Sequence, residues 1–176
     1  MIRAGFVLLA AALLGGCFYS EDALIGRFSA QFPLDEGFYS HTPYHPDGRP
    51  FDRPAWSGEI DRRGARYVSD DENFPHQNTR LRELSPGIYA AQRESEGRYL
   101  YGLVWVYEGG RVATYHQPQC ADLSDTARTT YELVEHDEER GACEVTDWNR
   151  LEGALLSYIS EHDGNVPIDG VYRRVD

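Results

Sequence analysis

Between residues 98 and 116 the chain has little freedom of choice. Tyr99-Leu-Tyr-Gly-Leu-Val-Trp-Val-Tyr107 is an uncharged run of aromatic, β-branched and aliphatic residues. Such a run suits a central strand covered on both faces. Glu108-Gly109-Gly110 then supplies a turn, and Arg111-Val-Ala-Thr-Tyr-His116 returns, so the stretch predicts a β-hairpin. Residues 88–92 before it and 129–135 after it read as flanking strands. Residues 56–60 and 65–68 read as an earlier hairpin turning at 61–64.

A turn followed by Gly-apolar-Tyr occurs three times, at Gly37-Phe-Tyr39, Gly87-Ile-Tyr89 and Gly170-Val-Tyr172. Glycine permits the turn, and the apolar-Tyr pair starts the pleat. The unequal spacings exclude a solenoid and suit a meandering antiparallel sheet. One helix is predicted near the C-terminus. Trp148, Leu151, Leu155, Ile159 and His162 recur at helical steps, with Ala154, Leu156 and Tyr158 widening the stripe. Thr146 or Asp147 can cap its start, Gly164 sits where a left-handed terminator belongs, and Gly153 marks close packing on the sheet. Residues 171–175 close the fold as a strand. The chain is therefore expected to be mainly β (α+β): an antiparallel meander sheet or open barrel of about seven to ten strands, with one C-terminal helix. The polar stretch 69–80 and the proline-rich stretch 41–56 read as irregular loops.

With a formal charge of −12, 29 acidic residues and no lysine, the chain lacks the basic face that nucleic acids require. The missing lysine also excludes Schiff-base chemistry. At 176 residues, 41% of them hydrophobic, there is mass for one ordinary domain and too much apolar surface for a disordered chain.

The N-terminus has one positive charge at Arg3, an apolar run over residues 4–14, and then Gly15-Gly16-Cys17. The run is too short to cross a bilayer, which takes roughly 20 apolar residues, and it matches a secretory signal peptide. Leu14-Gly15-Gly16-Cys17 resembles the lipobox of bacterial lipoproteins. The resemblance covers residues 1–17 only and implies cleavage between Gly16 and Cys17, with diacylglyceryl and palmitate-type acylation of Cys17. Residues 1–16 would be the signal peptide, 17–31 a lipid-anchored lead, and 32–176 a single β-rich domain. Phe18, in place of an aspartate after the cysteine, resembles the default sorting to the outer membrane, periplasm-facing, with inner membrane and cell surface as alternatives.

Cys120 and Cys143 then remain as a pair, which in an exported, oxidising setting reads as a disulfide. A zinc site is disfavoured because no close-spaced ligand pair accompanies them. His41 and His45 have helical metal-pair spacing, but Pro43 lies between them, leaving two loop histidines. Asp70-Asp71-Glu72 lacks the alternating oxygens of a calcium loop. Residues 135–140 read as a solvated turn. No nucleophile elbow or phosphate loop is present. The sequence thus offers no catalytic, metal or cofactor residues. A contact surface is expected at Tyr44, Phe51 and Trp56, with Trp56 exposed and Trp105 and Trp148 in the core. The leading functional expectation is a non-catalytic envelope module with the membrane and an envelope protein as partners. The alternatives are a small-molecule or lipid carrier, lipocalin-like in architecture only, and a hydrolase of envelope material. A filled sheet interior favours the module, and a cavity of several hundred Å³ favours the carrier.

Overall fold

The computed structural model describes residues 18–137 and 141–175. Gly16 and Cys17 lie outside them, as do residues 138–140 of the expected acidic turn. The chain runs through β1 (Phe18–Ser20), β2 (Gly37–Pro43), β3 (Trp56–Arg63), β4 (Arg66–Val68), β5 (Arg80–Ser85), β6 (Ile88–Ser95), β7 (Arg98–Tyr107) and β8 (Val112–His116). There follow the short helix α1 (Asp125–Thr130), β9 (Val134–Asp137), β10 (Ala142–Glu144), the main helix α2 (Trp148–Glu161) and β11 (Gly170–Arg174). All eleven strands belong to one sheet.

The three Gly-apolar-Tyr turns lead into β2, β6 and β11, and Tyr39, Tyr89 and Tyr172 all pack into one cluster. β2 to β4 and β5 to β8 are consecutive antiparallel neighbours. β11 returns to pair with β8 on one edge and β2 on the other. The Tyr67 amide donates to the Thr79 carbonyl at 2.8 Å, a single bridge that brings β4 beside the start of β5. The sheet therefore curls into an open barrel of eight strands with one thin seam. Short turns at Gly64, Gly87 and Gly109, all at positive φ, close one end. The longer connections 44–55 and 69–79 lie at the other.

β7 organises everything else. β6 pairs with residues 98–105 along one of its edges, and the other is divided: β8 pairs with residues 103–107, and β1 with residues 99–101. From β1 the sheet continues through a parallel pair to β10 and on to β9. The alternation of a strand sends Tyr101 and Leu103 outward, under α2, and Val104 and Val106 into the barrel. Leu151, Ala154, Leu155 and Tyr158 of α2 cover the outer face together with Phe18, Ile25 and the bonded pair Cys120–Cys143, whose Cα atoms are 5.7 Å apart. As expected, Asp147 caps α2, accepting from the Arg150 amide; the left-handed turn that ends it begins one residue before the expected Gly164, at Asp163 (φ 50°), and the Gly164 amide then donates to the Ile159 carbonyl at 2.9 Å.

Four local expectations change. Residues 129–135 do not form one strand: Ser124 accepts from the Ala127 amide and starts α1, which consumes Thr129 and Thr130 before β9 begins at Val134. Residues 41–43 continue β2, so His41 is a strand residue and only 44–55 is a loop. Gly153 gives room to Tyr131 rather than to the sheet, since a Cβ there would lie 2.2 Å from the Tyr131 ring. The lead after residue 17 is built into the sheet, with Phe18 completely buried and the Val145 amide bonded to the Tyr19 carbonyl at 2.7 Å.

Candidate functional site: a polar wall inside the barrel

The barrel interior is filled mainly by aromatic side chains, and they leave a cavity of about 110 Å³ near the end where the long connections gather. Inward-pointing Ile60, Leu81, Ala91 and Val104 supply apolar lining. The polar wall is His76, Arg93, Tyr115 and Tyr172. Tyr115 follows Ala113 at strand spacing along β8, and Arg93 follows Ala91 along β6, so both are carried inward by the same parity that builds the core. His76 enters from the 69–79 loop, which Phe74 pins by packing into the barrel cluster.

These groups are tightly coupled. His76 Nδ1 is 2.5 Å from the Tyr172 hydroxyl, and His41 Nε2 is 3.1 Å from the Tyr115 hydroxyl. The His41 ring stacks on Tyr172 with centroids 4.7 Å apart, and His76 meets Tyr115 edge-on at 4.5 Å. Burial pushes the His41 imidazole down to about 4. It pushes His76 to about 3, with the nearby His41 and Arg93 adding to the effect. Burial also holds the Tyr115 and Tyr172 phenols above their ordinary value, against the opposing pull of Arg93. At neutral pH the site thus holds two uncharged imidazoles, two uncharged phenols and one cation. Arg93 Nη1 donates to the Pro75 carbonyl at 2.8 Å, and no carboxylate among the described residues forms an ion pair with it.

No Asp, Glu, Ser or Cys among the described residues lines the cavity. Its only aliphatic hydroxyl, that of Thr79, donates to the His76 carbonyl at 2.7 Å. No group of three or more His, Cys, Asp or Glu among the described residues could hold a metal ion. The arrangement is equipped to hydrogen-bond and to attract negative charge, and it lacks a carboxylate acid–base pair for hydrolysis. Beside it, His116 links barrel to helix: its Nε2 lies 2.8 Å from the Tyr158 hydroxyl. Its Nδ1 approaches Asp169 Oδ2 at 3.1 Å, off the line of a hydrogen bond.

The residues expected at a contact surface are scattered. Trp56 is a correction: it is 6% exposed. As first residue of β3 it points inward with Ile60, and Gly58 yields it space, since a Cβ there would meet the indole at 2.5 Å. Its Nε1 donates to Asp71 at 2.8 Å, which gives one acid of the 70–72 loop a structural task. Phe51 is exposed and stacks on His45 with centroids 4.1 Å apart. Tyr44 bridges to Pro50, so the proline-rich loop is a folded turn. Trp105 and Trp148 are half-buried against the outer core. No helix among the described residues is long and apolar enough to cross a membrane. No family model matches the chain, and neither a curated protein nor a solved structure is detectably similar to it.

Proposed function

We propose that this is a lipid-anchored envelope protein whose barrel binds a small organic molecule, without catalysing a reaction on it. The observation that supports it is the wall of His76, Arg93, Tyr115 and Tyr172 facing an apolar lining across a cavity of about 110 Å³. Drug- and lipid-sized ligands occupy roughly 300–1,000 Å³, whereas a dry engineered cavity of about 150 Å³ admits benzene. A lipid carrier is therefore disfavoured and a small ligand favoured. The anchor is the acylated Cys17 implied by the lipobox resemblance, with the chain beginning at Cys17 and facing the periplasm from the outer membrane.

The test is mass spectrometry of protein extracted from its own membranes. Under denaturing conditions the expected mass is the chain from Cys17 plus a diacylglyceryl and an acyl group. Under native conditions a small additional mass accompanies the wild type and is absent from Ala91→Leu, which fills the cavity. An unmodified Cys17 overturns the anchor, and an added mass that persists in Ala91→Leu overturns the cavity as the binding site. An envelope protein partner is a second reading, favoured by Phe28, which is 89% exposed with the Arg27 guanidinium 4.4 Å over its ring. In-cell crosslinking of wild type and Phe28→Ser distinguishes it, since a protein captured by both removes the support from this surface.

A further inference from the structure

We infer that the ligand of the barrel is a short-chain monocarboxylate of about six heavy atoms, a size set by comparison with the benzene-sized engineered cavity, its carboxylate held by Arg93 and the Tyr115 hydroxyl. The inference rests on the proposed binding role and deepens it by assigning the ligand's chemistry.

His41 is buried, and its Nδ1 has no hydrogen-bond partner. A buried orphan N–H is rarer and costlier than an under-satisfied acceptor, so the proton is assigned to Nε2 and Nδ1 is left bare. Nε2–H then donates to the Tyr115 oxygen, 3.1 Å away, which leaves the Tyr115 O–H with no acceptor among the described residues. Arg93 has spent one N–H on the Pro75 carbonyl out of the five its guanidinium carries. The wall therefore presents a cation and a phenolic donor, while the lining carries no carboxylate to answer them.

What fits is an anion with two adjacent acceptor oxygens, which is the geometry a guanidinium grips best. A phosphate or sulfate would place more charge and more oxygens in a lining that also consists of Ile60, Leu81 and Val104, and burying them there is costly. A carboxylate with a short hydrocarbon tail satisfies both halves of the cavity.

The test is calorimetric titration of the full chain at pH 7 with butyrate, butyramide and 1-butanol. Butyrate is expected to bind at least about tenfold more tightly than butyramide, in keeping with a charge-assisted hydrogen bond. Arg93→Gln is expected to erase that preference, and Arg93→Lys to keep part of it. Because Arg93 also holds the 69–79 loop, Tyr115→Phe serves as a second variant. It leaves the loop contact in place and should weaken butyrate several-fold with 1-butanol unchanged. Equal binding of butyrate and butyramide, or a preference that survives Arg93→Gln, overturns the carboxylate inference while the binding reading stands. If none of the three binds, and extracted protein carries no small molecule, both fall.

Discussion

The two faces of β7 are packed by the same chain to opposite ends. Outward, Tyr101 and Leu103 meet Leu151, Leu155, Phe18 and a disulfide in a core whose largest members are fully buried. Inward, Val104 and Val106 meet tyrosines, a tryptophan and histidines that leave a cavity. Close packing maximises stability, and an imperfectly filled polar interior gives some of it up for the capacity to bind. The outer layer thus supports the barrel from behind while the inner one keeps a cavity open.

The largest effect expected from attacking this division is Leu155→Ala in the outer core. Truncating a fully buried leucine should cost about 2–5 kcal/mol. The measurement is the urea midpoint, and a loss below about 1 kcal/mol would show that the outer layer is not the firmer of the two.

Next comes acid. Free histidine titrates near 6.5, whereas His41 and His76 are held near 4 and 3 in the fold. The unfolded chain therefore takes up protons first. Their contribution is complete above pH 6.5 and is lost as pH falls through 6.5 toward 4 for His41 and toward 3 for His76, at about 1.4 kcal/mol per unit for each group. His41 alone accounts for about 3 kcal/mol across that window. Denaturant titrations at pH 7 and pH 5 should show the drop, and His41→Phe should flatten it. An unchanged midpoint at pH 5 in the wild type would mean that water already reaches these rings.

The smallest effect is on the proline-rich turn. Phe51→Ala removes only an exposed stack on His45 and should shift stability by less than about 0.5 kcal/mol. A larger loss would make the turn part of the barrel's end rather than an ornament on it.

Much of the barrel was readable because its signals are local. The run 99–107, the glycine turns before Tyr39, Tyr89 and Tyr172 and the Asp147 cap each depend on neighbours in sequence, and the cysteine pair follows from counting once Cys17 is set aside. What escaped is non-local. β5 carries Arg80, Arg82 and Glu83 among its apolar residues and has no clean run, so pairing with β6 defines it. Closure depends on β11 finding β2, with Tyr172 opposite His41, a contact that no window of sequence contains. The site was hidden for the same reason. Strand parity could have turned Tyr115 and Tyr172 inward together, but His76 sits in a loop without periodicity, and only the fold brings it to Tyr172. Trp56 was misplaced because its proline-rich neighbours suggested solvent, when its parity with Ile60 was the better guide.

Phe18 carries a final consequence. It is completely buried between β7 and β10, one peptide bond from Cys17. An acyl group on Cys17 would have almost no leash behind it, since one extended residue reaches only about 3.6 Å. The body would be held close against the bilayer surface, with no flexible arm to let it range away. Its search for ligand or partner would then be lateral, confined to molecules that come within a barrel's height of the membrane.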